Sequence, residues 1–146
     1  MFVIAFVCGV LAVLVLLLTP IVDERPVHAQ VLAARILYDG GLGPQPGVIS
    51  EEQFLARDDT RDLISFRQTE IYRIGARARV LDINTQDELF THHVYYNRPA
   101  YEILAGQSLV FTGHERKVWA FPVALERTTG EREPALIELE VIYATR

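Results

Sequence analysis

Hydrophobic and polar residues are distributed unevenly along this chain. The stretch from Phe2 to Val22 contains no charged side chain, whereas the remainder mixes apolar and charged residues as soluble domains do. A helix needs about 20 apolar residues to cross about 30 Å of hydrocarbon. The pattern therefore predicts a single membrane-spanning helix segment over residues 1–22.

A cleaved secretory signal is the alternative interpretation of this run. Such signals have a shorter apolar core, roughly 7–15 residues, behind a positively charged start. Here the core is longer and no Lys or Arg precedes it. The triplet Val27–Ala29 does resemble a cleavage site, and cleavage there would leave a chain beginning at Gln30. We expect the run to be retained. Its flanking charges nearly cancel, so they do not fix the membrane side; we expect the following domain to be extracytoplasmic.

A helical pattern resumes after the run. Pro20 predicts a kink, because proline removes a backbone donor and clashes with the preceding turn. Apolar residues then recur at helical spacing over 23–38, which predicts an amphipathic continuation of the helix. The residues expected on its shared face are Val27, Val31, Ala34 and Leu37.

Residues 39–70 are predicted to form a loop and a short helix. The Gly and Pro residues of "YDGGLGPQPG" stop the preceding helix. Ser50 and Gln53 have the spacing of a capping box, which predicts a helix from Glu51 to about Arg57.

The period of the pattern changes to two from Ile71 onward, which indicates strands. Residues 71–146 are predicted to form an antiparallel β domain of about five strands, with turns at Gly113–Glu115 and Thr128–Glu131. Pro122 lies inside a strand-like stretch, which favours a sheet edge or a bulge at that position. The predicted strands lie in "IGARARVLDI", "LFTHHVYYN", "SLVFTG", "KVWAFPVALER" and "ALIELEVIYA". The fold class is therefore α+β: a long N-terminal hydrophobic helix followed by a small antiparallel sheet.

The net charge limits the binding partners to be expected, and the cysteine content limits disulfide formation. The net charge of −5 belongs entirely to residues 23–146, and an acidic domain repels phosphate backbones. We therefore expect no nucleic-acid partner, and instead a lipid bilayer or the apolar helices of neighbouring subunits. The single Cys8 excludes an intrachain disulfide.

No catalytic motif is recognisable in the sequence. His92 and His93 are adjacent in a predicted strand, so their side chains should point to opposite faces and cannot share one metal ion. One of them could form a site with His114 and Glu115 only if the strands pair suitably. We predict no catalytic residue, no cofactor and no metal, and hence a protein that is not an enzyme.

Aromatic residues are the more suggestive feature of the β domain. They favour half-buried strand positions, so core packing or cover of a sheet edge is one interpretation. The other is a protein interface, where Tyr and Trp are enriched. The candidate interface residues are Tyr95, Tyr96, Tyr101 and Trp119.

The whole layout resembles that of type IV pilin-like proteins, including the small archaeal membrane-anchored ones. The matching features are the run Phe2–Val22, the helix-breaking Pro20 and the segment "LAARILYDGGLGPQPGVISEEQF" that leads into strands. Pilins usually carry a Glu near the start of the run, whereas this run has no acidic residue. The resemblance implies an apolar helix in a membrane or filament core below a β-rich head. Helix packing there would use the small residues Ala5, Gly9 and Ala12 together with Pro20.

Three function classes follow from these features. The first is a structural or interaction protein on the cell surface, most sharply a pilin-like filament or minor pilin subunit, which would form an oligomer. The second is a single-span accessory subunit of a larger membrane complex or virion membrane. The third is a secreted or anchored binding module, which would need a pocket with convergent polar groups.

Overall fold

The computed structural model describes residues 25–64, 74–106 and 113–144. The predicted helix segment 1–22 lies outside these ranges. So do the four residues proposed for helix packing, Ala5, Gly9, Ala12 and Pro20. None of the helices in the described ranges combines the length and apolar composition that a membrane crossing requires.

Helix α1 spans Arg25–Asp39 and packs against the sheet. It ends where the backbone N–H of Gly40 donates to the carbonyl of Ile36 at 3.2 Å. The helix predicted over residues 23–38 is present. The side chains that pack inward are Ala29, Leu32, Ala33 and Ile36. Of the residues predicted to share a face, Val27 and Val31 are 58% and 43% exposed, whereas Leu37 packs against the core. The helix carries apolar residues on both sides, so periodicity alone could not choose between them.

A short strand, β1 (Val48–Ser50), leads directly into helix α2 (Glu51–Leu55). Ser50 caps this helix as predicted, because its Oγ accepts a hydrogen bond from the backbone N–H of Gln53 at 3.4 Å. The strand itself was not predicted within residues 39–70, since three residues are too few to display a period of two.

Four further strands complete one five-stranded sheet: β2 (Ile74–Asp82), β3 (Val94–Tyr96), β4 (His114–Glu126) and β5 (Arg132–Ala144). The order is β1-β4-β5-β2-β3. The pairs among β2 to β5 are antiparallel, whereas β1 runs parallel to β4. The α+β class agrees with the prediction, but among the described residues the sheet is mixed and not purely antiparallel, and one of its five strands, β1, was not predicted.

Connections between strands are predicted with mixed success. The turn at Thr128–Glu131 is confirmed: Gly130 has φ 85°, and its N–H donates to the carbonyl of Arg127 at 2.9 Å. The turn at Gly113–Glu115 is wrong, because β4 already begins at His114. The stretch "SLVFT" (108–112), predicted as a strand, lies outside the described residues.

Helix α3 (Arg98–Gly106) was not predicted at all. It lies on the sheet face opposite α1, where its buried Tyr101 and Leu104 form a small cluster with Ile142 of β5. Gly75 of β2 permits this close approach, because a Cβ at Gly75 would lie 2.4 Å from the backbone nitrogen of Tyr101. The sheet therefore has an inner face under α1 and an outer face that α3 covers only in part.

The inner face holds the main core. Alternate residues of β2 and β5 point into it and meet the buried side of α1. Its buried strand residues include Ala76, Ala78, Val80, Ile137, Leu139 and Val141.

Candidate interaction site

The four candidate aromatic residues do not form one surface. Tyr95 and Tyr96 are adjacent in β3 and point to opposite faces. Tyr96 is 1% exposed in the main core, and Trp119 is half-buried against that core. Tyr95 and the buried Tyr101 meet on the outer face, with ring centroids 5.4 Å apart. Of the four, only Tyr95 and Trp119 retain appreciable exposed area.

Beside this aromatic pair lies a buried carboxylate, Glu140 of β5, which is 2% exposed. Its Oε2 accepts a hydrogen bond from Nη2 of Arg77 on β2 at 2.7 Å. Its Oε1 contacts Nε of Arg116 on β4. The guanidinium of Arg77 also lies 5.5 Å from the ring centroid of Tyr101. Glu140 thus links β5 to both neighbouring strands, β2 and β4, and Arg77 extends the contact to α3.

The pKa of Glu140 shows which effect dominates at this position. Burial alone would raise it, but hydrogen bonds from Arg116 and Tyr101 and the charge of Arg77 together hold the pKa below its ordinary value. The pKa of Tyr101 is raised, chiefly by burial and then by the neighbouring negative charge of Glu140. The carboxylate is therefore ionised, and its partners are protein groups.

A second charged layer follows along the same face. Arg79 donates to Glu138 and to Glu88, each at 2.7 Å, and His93 Nε2 lies 3.2 Å from Glu88. Hydrogen bonds from Arg79, then from His93, lower the pKa of Glu88. Bonds to Glu138 and Glu88 raise the pKa of Arg79. Both layers are ladders of opposite charge across neighbouring strands, which stabilise sheet pairing.

The histidines have separate environments. His92 Nε2 lies 2.8 Å from the carbonyl oxygen of Arg57, whereas His93 faces Glu88. Within ranges 25–64, 74–106 and 113–144, no three His, Cys, Asp or Glu residues lie together as metal ligands would.

The β4 strand has an exposed edge. It pairs with β5 along its whole length, but on its other side it pairs with β1 only over Ala124–Glu126. Within the described ranges, no strand lies beside residues 114–123 on that side. This edge of β4, residues 114–123, is called the β4 edge below.

Backbone direction along the β4 edge follows from one hydrogen bond. The N–H of Ala124 donates to the carbonyl of Gly47, so the backbone groups of Ala124 point away from β5. Because these groups alternate in direction along a strand, those of Arg116, Val118 and Ala120 point outward as well. Pro122 belongs to the same alternating set of residues. The N–H that proline lacks would point away from β5, so no hydrogen bond to β5 is lost. Among the described residues Pro122 thus lies on a strand edge, one of the two positions predicted for it.

The same residues present their side chains on the outer face. Val118 is 51% exposed, and Ala120 and Pro122 are exposed beside it. The β4 edge thus combines outward-pointing backbone groups with exposed apolar side chains, a combination that another strand could recognise.

A second exposed apolar surface runs along α1. At about 100° per residue, Val27, Val31 and Tyr38 fall within about 40° of one another around the helix axis. Each of the three is more than 40% exposed. The buried residues Ala29, Leu32, Ala33 and Ile36 lie on the opposite side of the helix. We call the three exposed residues the α1 stripe.

The buried charges and the β4 edge were missed in the sequence, although part of the signal was present. Arg77 and Arg79 alternate in one strand as Glu138 and Glu140 do in another, which is the pattern of a cross-strand charge ladder. To predict that β2 pairs with β5, one must know the strand order of the sheet, which no local sequence pattern indicates.

Comparison with known proteins adds no relative. No protein-family model matches the chain, and no similar curated protein or solved structure was found. The function must therefore be argued from the described residues and the sequence.

Proposed function

We propose that this protein is a non-enzymatic, membrane-anchored subunit whose helix assembles with other helices and whose β domain lies outside the cytoplasm. The α1 stripe carries this proposal. One side of α1 packs on the sheet, while Val27, Val31 and Tyr38 leave an apolar strip on the other side. The strip begins five residues after a charge-free run that is long enough to span a bilayer.

The position of Ala29 supports retention of the preceding residues. Ala29 is fully buried in α1, and the helix begins at Arg25. Cleavage after Ala29 would remove the first turn of the helix together with a core side chain. A secreted domain beginning at Gln30 would therefore lose part of its own packing.

The sharpest form of the proposal is a pilin-like filament subunit or minor pilin. In such an assembly, helices of neighbouring copies pack side by side. The α1 stripe would extend the packing surface offered by Ala5, Gly9 and Ala12, where small side chains permit close approach. The kink expected at Pro20 would set the angle between the two parts.

The charged groups of the β domain support a role without catalysis. A catalytic acid or base needs a partner in the substrate, with a pKa matched to proton transfer. Glu140 instead has a lowered pKa and is held by Arg77 and Arg116. Such an arrangement fixes strands and helices to each other.

The test is the assembly state of the full chain, extracted from membranes in mild detergent. We expect homo-oligomers in native mass measurement, and we expect Gly9→Leu and Val31→Glu each to reduce their size. Ile103→Glu is the matched control, because Ile103 is also an exposed apolar residue, on α3 and outside the α1 stripe.

Two outcomes would contradict the proposal in different ways. A fixed stoichiometry with other chains, unaffected by Gly9→Leu, would indicate an accessory subunit of a larger membrane complex. A natural product whose first residue is Gln30 would indicate a secreted domain, and would remove the anchor altogether.

A further inference from the structure

The β4 edge is long for an exposed strand edge. Open edges present unpaired N–H and C=O groups to other chains, and proteins usually protect them with short strands, charges, proline or bulges. In the described part of the chain, β4 is open over residues 114–123, and two features of it are protective: Pro122, and the charged residues Glu115, Arg116 and Lys117. Neither of them blocks the backbone groups of Arg116, Val118 and Ala120.

Pro122 limits any added strand to the N-terminal part of β4. Because Pro122 cannot donate and Ala124 already donates to Gly47, an incoming strand gains its bonds from residues 114–120. The backbone donors and acceptors that point outward over residues 114–120 are centred close to Val118. A symmetric partner would therefore have its two-fold axis there.

The charges on the inner side of the strand select the same register. Glu115 and Lys117 form an ion pair at 2.6 Å, and Trp119 follows on the same face. A two-fold axis at Lys117 would place the two Lys117 side chains opposite each other, which is destabilising. An axis at Val118 separates them and places each Lys117 opposite Trp119 of the other copy, where a cation–π contact is favourable.

We propose that two copies of this chain join through antiparallel pairing of their β4 edges, about a two-fold axis at Val118. The two strands then form a continuous sheet, with Val118 opposite Val118 and Arg116 opposite Ala120. Such an interface is isologous and closes on itself as a dimer. It requires neither the apolar run nor the α1 stripe, so it goes beyond the proposed function and does not depend on it.

The first experiment removes the central donor. Val118→Pro in the full chain, in detergent, should leave the fold intact, because the N–H at this position points away from β5 just as at Pro122. It removes two hydrogen bonds from the dimer, one per copy, and should weaken dimerisation by about tenfold or more. Val118→Thr is the control, since it keeps the N–H and should dimerise like wild type.

Analytical ultracentrifugation gives the association, and circular dichroism melting confirms that each variant is folded. Removal of the contacts made by the α1 stripe, by Val31→Glu, separates this dimer from a larger helix-packed assembly. Dimers should persist in Val31→Glu and be lost in the double variant with Val118→Pro. A monomeric Val31→Glu protein, or a dimer that survives in the double variant Val31→Glu with Val118→Pro, would overturn the proposal.

The second experiment tests the register. In a Cys8→Ser background, Val118→Cys should form an intermolecular disulfide under mild oxidation. The two Cα atoms of a hydrogen-bonded antiparallel pair lie about 5.5 Å apart, within the range for a disulfide. Ala120→Cys is the matched control on the same strand and face: it lies opposite Arg116, and should remain uncrosslinked. Crosslinking of Ala120→Cys without that of Val118→Cys would refute this register.

Discussion

The two faces of the central sheet are built from the same strands but stabilised differently. Leu139 and Glu140 are neighbours in β5; both are buried, yet they point to opposite faces. Leu139 packs among apolar side chains under α1. Glu140 is instead surrounded by Arg77, Arg116 and Tyr101 on the outer face.

This difference determines what each face tolerates. Apolar burial is non-directional, and its cost after truncation depends on the area removed from water and the cavity that remains. A buried ion pair depends on its partners, because removing one of them leaves an unpaired charge in a medium of low polarity. The alternation of apolar and polar residues in β5 therefore does not mean that the polar face is exposed to solvent.

The largest effect should come from Glu140→Gln. The substitution keeps the shape of the side chain but leaves Arg77 without its counter-charge in a largely buried position. We expect the free energy of unfolding to fall by about 4 kcal/mol, measured by urea denaturation. Glu102→Gln is the control, because Glu102 forms an exposed pair with Arg98 and should cost about 0.5 kcal/mol. Equal effects of the two would mean that the outer-face network contributes no more than a surface pair.

On the inner face, Leu32→Ala should rank second. Leu32 is fully buried between α1 and the sheet, so its truncation removes apolar contacts and leaves a cavity. We expect a loss of about 3 kcal/mol in the free energy of unfolding. The control is Val31→Ala, at the preceding position of the same helix: Val31 is 43% exposed, and its truncation should change stability by less than about 0.5 kcal/mol. A reversed order would show that the helix packs through the α1 stripe.

The contrast between the two faces also explains how much of the fold could be predicted from the sequence. The alternation in β2 and β5, the Ser50 cap and the turn at Gly130 are local signals, and all three were predicted correctly. The buried side of α1 depends on which of two apolar faces meets the sheet, and β1 depends on pairing with a strand that lies far away in sequence. These choices are made by tertiary contacts, which no local pattern records.

Helix α3 and the side chains around Glu140 also depend on tertiary contacts, and for this reason the sequence did not predict them. Tyr101, one of the four candidate aromatic residues, is buried, because α3 packs it against Gly75 and Ile142. The β4 edge became apparent only with the strand order. Pro122 alone gave a correct local hint, since proline in a strand favours an edge.

A third prediction concerns the join between α3 and the outer face. In Gly75→Ala, the added Cβ would lie 2.4 Å from the backbone nitrogen of Tyr101, so α3 must move away from β2. We expect a loss of about 2 kcal/mol in the free energy of unfolding. Gly106→Ala, at the end of α3, meets no atom within 4 Å and serves as the control. A neutral Gly75→Ala would show that α3 is held loosely on the sheet.

The smallest effect is the pH dependence of the outer face. The folded pKa of Glu140 is lowered, so its contribution to stability is present above the ordinary carboxyl pKa of about 4.3. This contribution is lost as the pH falls through the lower, folded value. Glu88 and Glu115 also have lowered pKa values, so wild-type stability alone would not isolate Glu140.

Comparison with Glu140→Gln removes this ambiguity, because the other carboxyls are present in both proteins. The difference in unfolding free energy should be constant near neutral pH and shrink below about pH 4.3, as the wild-type carboxyl becomes protonated and loses the charge that holds Arg77 and Arg116. Urea titrations at a series of pH values measure it. A difference that stays constant into strong acid would mean that Glu140 stabilises the sheet through shape and hydrogen bonding rather than through its charge, and the outer face would then resemble the inner one.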